Sequence, residues 1–115
     1  MTPRVAFVTG GAQGIGGGIS ETLAAHGFRV AVADLNLDAA KETAARIVAA
    51  GGNAIPVSVD VTDTDSVRAA VADVTGELGD IEVAVNNAGW DDFMPFVKTD
   101  EDFWNKILDI NFKGA

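Results

Sequence analysis

Four short apolar runs, "RVAFVT" (4–9), "RVAVAD" (29–34), "AIPVSVD" (54–60) and "IEVAVN" (81–86), recur along the 115 residues about 25 apart, with helical patterns between them. The first, second and fourth are apolar almost throughout, which suits strands covered on both faces of a parallel sheet. The intervals carry Ile15, Ile19 and Leu23, then Ala40, Ala44, Ile47 and Val48, then Val67, Ala70, Val71, Val74 and Leu78. These spacings predict amphipathic helices. Gly27, Gly51 and Gly79 follow the last periodic residues as C′ glycines. Thr62 with Asp65 resembles a capping box, and Asp63 and Asp65 suit a helix N-terminal dipole. Strand, helix and strand in this rhythm imply right-handed crossovers and helices on both faces of the sheet. Pro56 cannot donate to a ladder from mid-sheet, so the third strand belongs at an edge. The expected order is therefore 3-2-1-4.

One domain accounts for the whole length, and no linker, repeat or low-complexity stretch interrupts it. Hydrophobic residues make up 48% and there is no cysteine, as in a disulfide-free protein of a reducing cytoplasm. The start "MTPRVAFVTG" enters a strand pattern without a basic and apolar leader, and no run of about 18 apolar residues occurs. Neither export nor a membrane span is expected. A net charge of −9 repels phosphate backbones and anionic lipid, so no nucleic-acid or membrane partner is expected.

A small anion is still compatible with that charge if main-chain dipoles hold it. The stretch "TGGAQGIG" (9–16) lies between the first strand and the first helix, where free N–H groups and the helix dipole favour negative charge. Gly10 suits a tight turn, Gly14 lets a ligand approach without a Cβ in the way, and Gly16 permits close packing of helix on strand. A pyrophosphate seat explains all three. Asp34, eighteen residues after Gly16, ends the second strand where a ribose hydroxyl would be bound, with Leu35 beside it. Its charge would repel a 2′-phosphate. Between Thr9 and Asp34 the only cationic residue is Arg29, at the far end of its strand. NAD is therefore expected over NADP.

Further motifs accompany the loop: "DV" at Asp60 and Val61, "NNAG" at Asn86 to Gly89, and Asn111 in the helix after "TDEDFW". Together with T-G-x-x-x-G-x-G, this set closely resembles the N-terminal half of the classical short-chain dehydrogenase/reductase family, over essentially the whole chain. The resemblance implies a Rossmann-like domain spanning 1–115 and an NAD-dependent oxidoreductase acting on an alcohol or ketone. Gly10, Gln13, Gly14, Ile15 and Gly16 would surround the pyrophosphate, and Asp34 and Leu35 would lie at the adenosine. By the same resemblance Asp60 and Val61 would flank the adenine, while Asn87, Ala88 and Gly89 would pass beneath the cofactor. Asn111 would help to hold a water in a proton relay, and a homotetramer would be the assembly.

Gly17 and Gly18 depart from the family pattern of a larger residue followed by alanine, at about 0.8–1 kcal/mol per helical glycine. A first helix loose at its start is the consequence expected. The family's tyrosine, lysine and serine are also missing, since the chain has no tyrosine. The pattern from Phe103 through Ile107 and Asn111 runs to the last residue, as if cut inside a fourth helix. Such a chain would expose its fourth strand, bind a dinucleotide weakly or not at all, and not turn over.

Blander roles compete at several positions. Asp34 could serve a turn before Asn36, and Asp60 could simply start a helix. Asn111 lies on an apolar stripe, where a buried polar group needs a partner. His26 suits a helix C-terminus better than catalysis. Asp91, Asp92 and the run Asp100 to Asp102 read as loop solvation and N-capping by Thr99, so no metal is expected. "WDDFMPF" (90–96) either walls an apolar substrate or packs on other parts of the protein, and the run from 86 to 104 looks most like family members acting on hydroxyacyl or oxoacyl thioesters. A stand-alone nucleotide- or partner-binding module, or an S-adenosylmethionine-dependent methyltransferase, would use a similar glycine loop.

Overall fold

A computed structural model describes residues 3–89 and 100–113. Its elements are β1 (Val5–Thr9), α1 (Gly14–Ala25), β2 (Arg29–Asp34), α2 (Leu37–Ala49), β3 (Asn53–Ser58), α3 (Thr64–Leu78), β4 (Ile81–Asn86) and α4 (Glu101–Leu108), followed by a π-helical turn at Asp109–Lys113. The strands form one parallel sheet in the order β3-β2-β1-β4. Pro56 is at the outer edge, paired in register with Val32.

Alternation along the strands explains why they read as continuously apolar. Val8, Val30 and Val32 point to one face, where they pack with Ala24 of α1 and with Ala40, Ala44 and Ile47 of α2. Val5, Phe7, Ala31 and Ala33 point to the other, against Ala70, Val74 and Leu78 of α3. Both faces are thus covered, and every residue of β1 is buried. The alanines of α2 let its backbone approach the sheet closely, a fit that larger side chains would prevent.

Several local expectations need correction. Of the stripe Ile15, Ile19 and Leu23, the last two are half-buried and pack against the core, but Ile15 is 78% exposed, and the fully buried residues of α1 are Gly16, Gly17, Ser20 and Ala24. The helix start is pressed so tightly onto the preceding turn at Gly16 that a side chain there would not fit, and Ile15 is left outside the packed face. Val48 and Val71 are likewise exposed on the shoulders of their helices. β3 ends at Ser58, two residues early, although Val59 N–H still donates to Asp34 O at 3.1 Å. Strand β4 is not covered on both faces, alternating between half-buried and exposed residues; β1 is its only strand neighbour among the described residues.

The helix termini are also refined. Asp63, not Thr62, caps α3, its carboxylate accepting from Asp65 N–H and Ser66 N–H. Gly27 and Gly51 follow the caps of α1 and α2 with φ of 90°, whereas Gly79 is itself the cap of α3. Asp100 caps α4 by accepting from Phe103 N–H at 2.8 Å, and Thr99 lies outside the described residues. The fourth helix widens into a π turn at Asp109 instead of continuing as α-helix through Asn111.

Candidate functional site

The C-terminal ends of β1, β2, β3 and β4 converge on one rim, and what happens there starts with the turn after β1. Gly10 has φ of +61° and Gly14 of +57°, a left-handed backbone that side chains rarely adopt. A Cβ on Gly14 would meet open space, whereas one on Gly16 would overlap the carbonyl oxygen of Gly10 and lie 2.5 Å from Asn87 Nδ2. Gly16 therefore serves the contact between helix, turn and β4 rather than helix-on-strand packing.

Between these glycines the chain is held at every main-chain polar atom of two consecutive residues. Gly11 N–H donates to Ala33 O at 3.0 Å, and Gly11 O accepts from Ser20 Oγ at 2.9 Å. Ala12 N–H donates to Asp34 Oδ2 at 3.2 Å, and Ala12 O accepts from Thr43 Oγ1 at 2.6 Å. From β4, Asn87 Nδ2 donates to Gly10 O at 3.2 Å. Thr9 Oγ1 donates to Val85 O and accepts from Asn87 N–H and Ala88 N–H, joining the ends of β1 and β4.

The helix behind this turn makes its first intrahelical bond from Gly17 N–H to Gln13 O, and the Gln13 side chain does not cap it. The amides of Gly14, Ile15 and Gly16 thus have no intrahelical acceptor, and no acid lies in the first turn to compete for them. Such an arrangement can hold an anion with partial positive charge alone.

A cleft of about 360 Å³ opens beside the turn and gathers nine of the predicted residues: Gly10, Gln13, Asp34, Leu35, Asp60, Val61, Asn87, Ala88 and Gly89. Gly14, Ile15 and Gly16 adjoin it at the start of α1 without lining it. Asn111 is exposed rather than buried on an apolar stripe, because the π turn carries it off the α-helical repeat. It still reaches the rim, since Asn111 Oδ1 lies 2.8 Å from where a Cβ on Gly89 would stand. Trp90 to Thr99, which include "WDDFMPF", Asp91 and Asp92, lie outside the described residues.

The two carboxylates of the cleft are each part of the local architecture. Asp34 Oδ1 accepts from Asn36 N–H at 3.0 Å, so Asp34 holds a turn as well as the Ala12 amide. Both oxygens keep further lone pairs for a ligand. Asp60 Oδ1 accepts from the hydroxyl of Thr62 at 2.6 Å and from Thr62 N–H at 3.0 Å. The hydroxyl first, then the amide, holds the Asp60 carboxyl below its ordinary value of 3.8, against a small opposing effect of burial. Among the described residues no lysine or arginine lines the cleft; Arg29 instead donates to Leu78 O at 3.0 Å at the far end of the sheet. His26 Nδ1 lies 2.8 Å from Thr22 O at the end of α1, remote from the rim. No group of three or more potential metal ligands occurs among the described residues, and no described helix is long and apolar enough to cross a membrane.

Sequence reasoning missed Thr9, Ser20 and Thr43, because a hydroxyl inside an amphipathic pattern gives no sign of its acceptor. It also missed Val59 and Ile110, which line the cleft. The strand-end rule that singled out Asp60 could have found Val59.

Known proteins share these features. The sequence profile described as short chain dehydrogenase matches residues 4–115. L-2,3-butanediol dehydrogenase of Corynebacterium glutamicum is 46% identical over 110 residues, which is 94% of this chain and 43% of that protein. Sorbitol dehydrogenase of Cereibacter sphaeroides is 39% identical over 112 residues, 97% of this chain and 43% of the relative. For galactitol 2-dehydrogenase of Agrobacterium fabrum the figures are 40% over 114 residues, 99% and 43%. A solved structure described as a short-chain dehydrogenase from Novosphingobium aromaticivorans superposes with a TM-score of 0.91 at 34% identity, covering 96% of this chain and 41% of its own. The chain thus spans less than half the length of each of these proteins.

Proposed function

The chain belongs to the short-chain dehydrogenase/reductase family, and from that premise we propose that it is the cofactor-binding portion of an NAD-dependent oxidoreductase interconverting a secondary alcohol and a ketone. The observation that carries this reading is a cleft lined by Gln13 and the Asp34 carboxylate, with the uncapped helix N-terminus and its open Gly14 adjoining it. The diphosphate of a dinucleotide matches the unpaired amides of Gly14, Ile15 and Gly16, because it needs donors without a competing acid. Asp34 accepts from the adenosine ribose hydroxyls through the lone pairs left by Ala12 and Asn36. Leu35 and Val61 offer apolar surface to the adenine beside Asp60, and the 87–89 backbone lies at the nicotinamide end. When bound, a nicotinamide supplies the hydride acceptor or donor of the reaction.

Asn111, beside Gly89, holds a water for proton transfer in this reading. The tyrosine, lysine and serine that the family resemblance requires are not supplied by these residues as a set, since no tyrosine is present. These 115 residues would therefore bind without turnover. For the whole protein, a small diol or polyol is the favoured substrate class over an acyl thioester. That preference is supported by relatives named for butanediol, sorbitol and galactitol. A cytoplasmic homotetramer is the accompanying expectation, supported by the family resemblance and the lack of cysteine.

Calorimetric titration tests the cofactor assignment. NAD should bind more tightly than NADP, and Asp34→Asn should weaken NAD about tenfold while narrowing the gap to NADP, as expected for losing charge-assisted bonds. Tighter binding of NADP or of S-adenosylmethionine by the unaltered protein would contradict it.

A further inference from the structure

The geometry points to Thr43, on the second helix, as a positioning residue for the anion seat on the first. This inference rests on the reading of the cleft as a dinucleotide site. Thr43 is 1% exposed and lies 31 residues from the loop in sequence, yet its hydroxyl meets Ala12 O at 2.6 Å. Arg46 Nη2 approaches the same Thr43 oxygen at 3.1 Å, and Arg46 Nε is paired with Glu21 Oε1 of α1 at 3.3 Å.

Proton inventory fixes the direction of this chain. A guanidinium can only donate, so Thr43 Oγ1 accepts from Arg46 and its single proton must point to Ala12 O. Donation by a cation also polarises the hydroxyl and strengthens it as a donor. Ala12 O belongs to the peptide group that carries Gln13 N, directly ahead of the three unpaired amides of α1. Ser20 and Asp34 fix the preceding peptide group, through Gly11 O and Ala12 N. Thr43 is the tie that orients the last peptide plane before the seat. Its loss would leave Ala12 O without this donor and let that plane turn.

A latch on the diphosphate seat has a different signature from a general packing residue. The loop holds the phosphates while Asp34 and Leu35 hold the nucleoside, so a latch defect should separate ADP from adenosine. Both ligands are titrated calorimetrically into the protein and its variants. Thr43→Val, which keeps shape and removes the hydroxyl, should weaken ADP about tenfold and adenosine less than about twofold. Thr43→Ser should restore ADP binding to within about twofold of the unaltered protein. Arg46→Met, which leaves the hydroxyl in place, should give a smaller loss for ADP alone; it also serves if Thr43→Val fails to fold. Equal weakening of ADP and adenosine, or an unchanged ADP affinity in Thr43→Val or, failing that, in Arg46→Met, would overturn the latch. Failure of the unaltered protein to bind either ligand would overturn the dinucleotide reading itself, and the latch with it.

Discussion

At the scale of single residues, two glycines two positions apart in one helix serve opposite ends. A methyl on Gly16 overlaps the Gly10 carbonyl and crowds Asn87, while a methyl on Gly18 meets nothing within 4 Å and stands in solvent. Gly16→Ala should therefore destabilise the protein by at least about 2 kcal/mol, the cost of forcing an overlap in a packed site. Gly18→Ala should stabilise it by up to about 1 kcal/mol through helix propensity. Urea denaturation compares the two. Of the two positions that depart from the family pattern, Gly18 has no steric reason for glycine, while a Cβ on Gly17 would stand 3.3 Å from Ala12 O; Gly16 was legible as a close-approach residue though not for the contact it makes. Asp60 adds a pH dependence. Its carboxyl is held below 3.8 in the folded chain by Thr62, so this stabilisation is complete above the unfolded value of about 3.9 and is lost as pH falls through the lowered folded value. Thr62→Val should be less stable than the unaltered protein at neutral pH, with the difference shrinking toward zero as the solution is acidified past that range.

Elements were legible where their signal was local. Strands β1 and β2 announced themselves because both their faces are covered, and Pro56 placed β3 at the edge. Helix faces were less legible: in α1, close approach of the backbone buries Gly16, Gly17, Ser20 and Ala24, so of the apolar stripe Ile19 and Leu23 reach the core while Ile15 is exposed. Caps were misread by one residue at α3, since Thr62 and Asp63 are both competent and only geometry shows that Thr62 is spent on Asp60. Asp63→Ala should cost about 1 kcal/mol of stability, as removal of an N-cap acceptor does, measured by thermal or urea unfolding.

For the molecule as a whole, the rim shared by four strand ends unites a turn built from glycine, two aspartates and the 87–89 segment into a single cleft. Nine of the twelve residues singled out from the sequence line it, because glycine turns and strand-end carboxylates leave a mark in sequence. The hydroxyls of Thr9, Ser20 and Thr43 left none, since the main-chain carbonyls that accept from them, and the amides that donate to Thr9, are brought near only by the fold. The most direct test of the central claim follows individual backbone amides by nuclear magnetic resonance as NAD is added. Saturable shifts should concentrate at Gly14, Ile15 and Gly16 and around Asp34, leaving Val48 and Gly51 at the opposite end of α2 unmoved. Binding that shifts other amides while those three stay still would contradict the account.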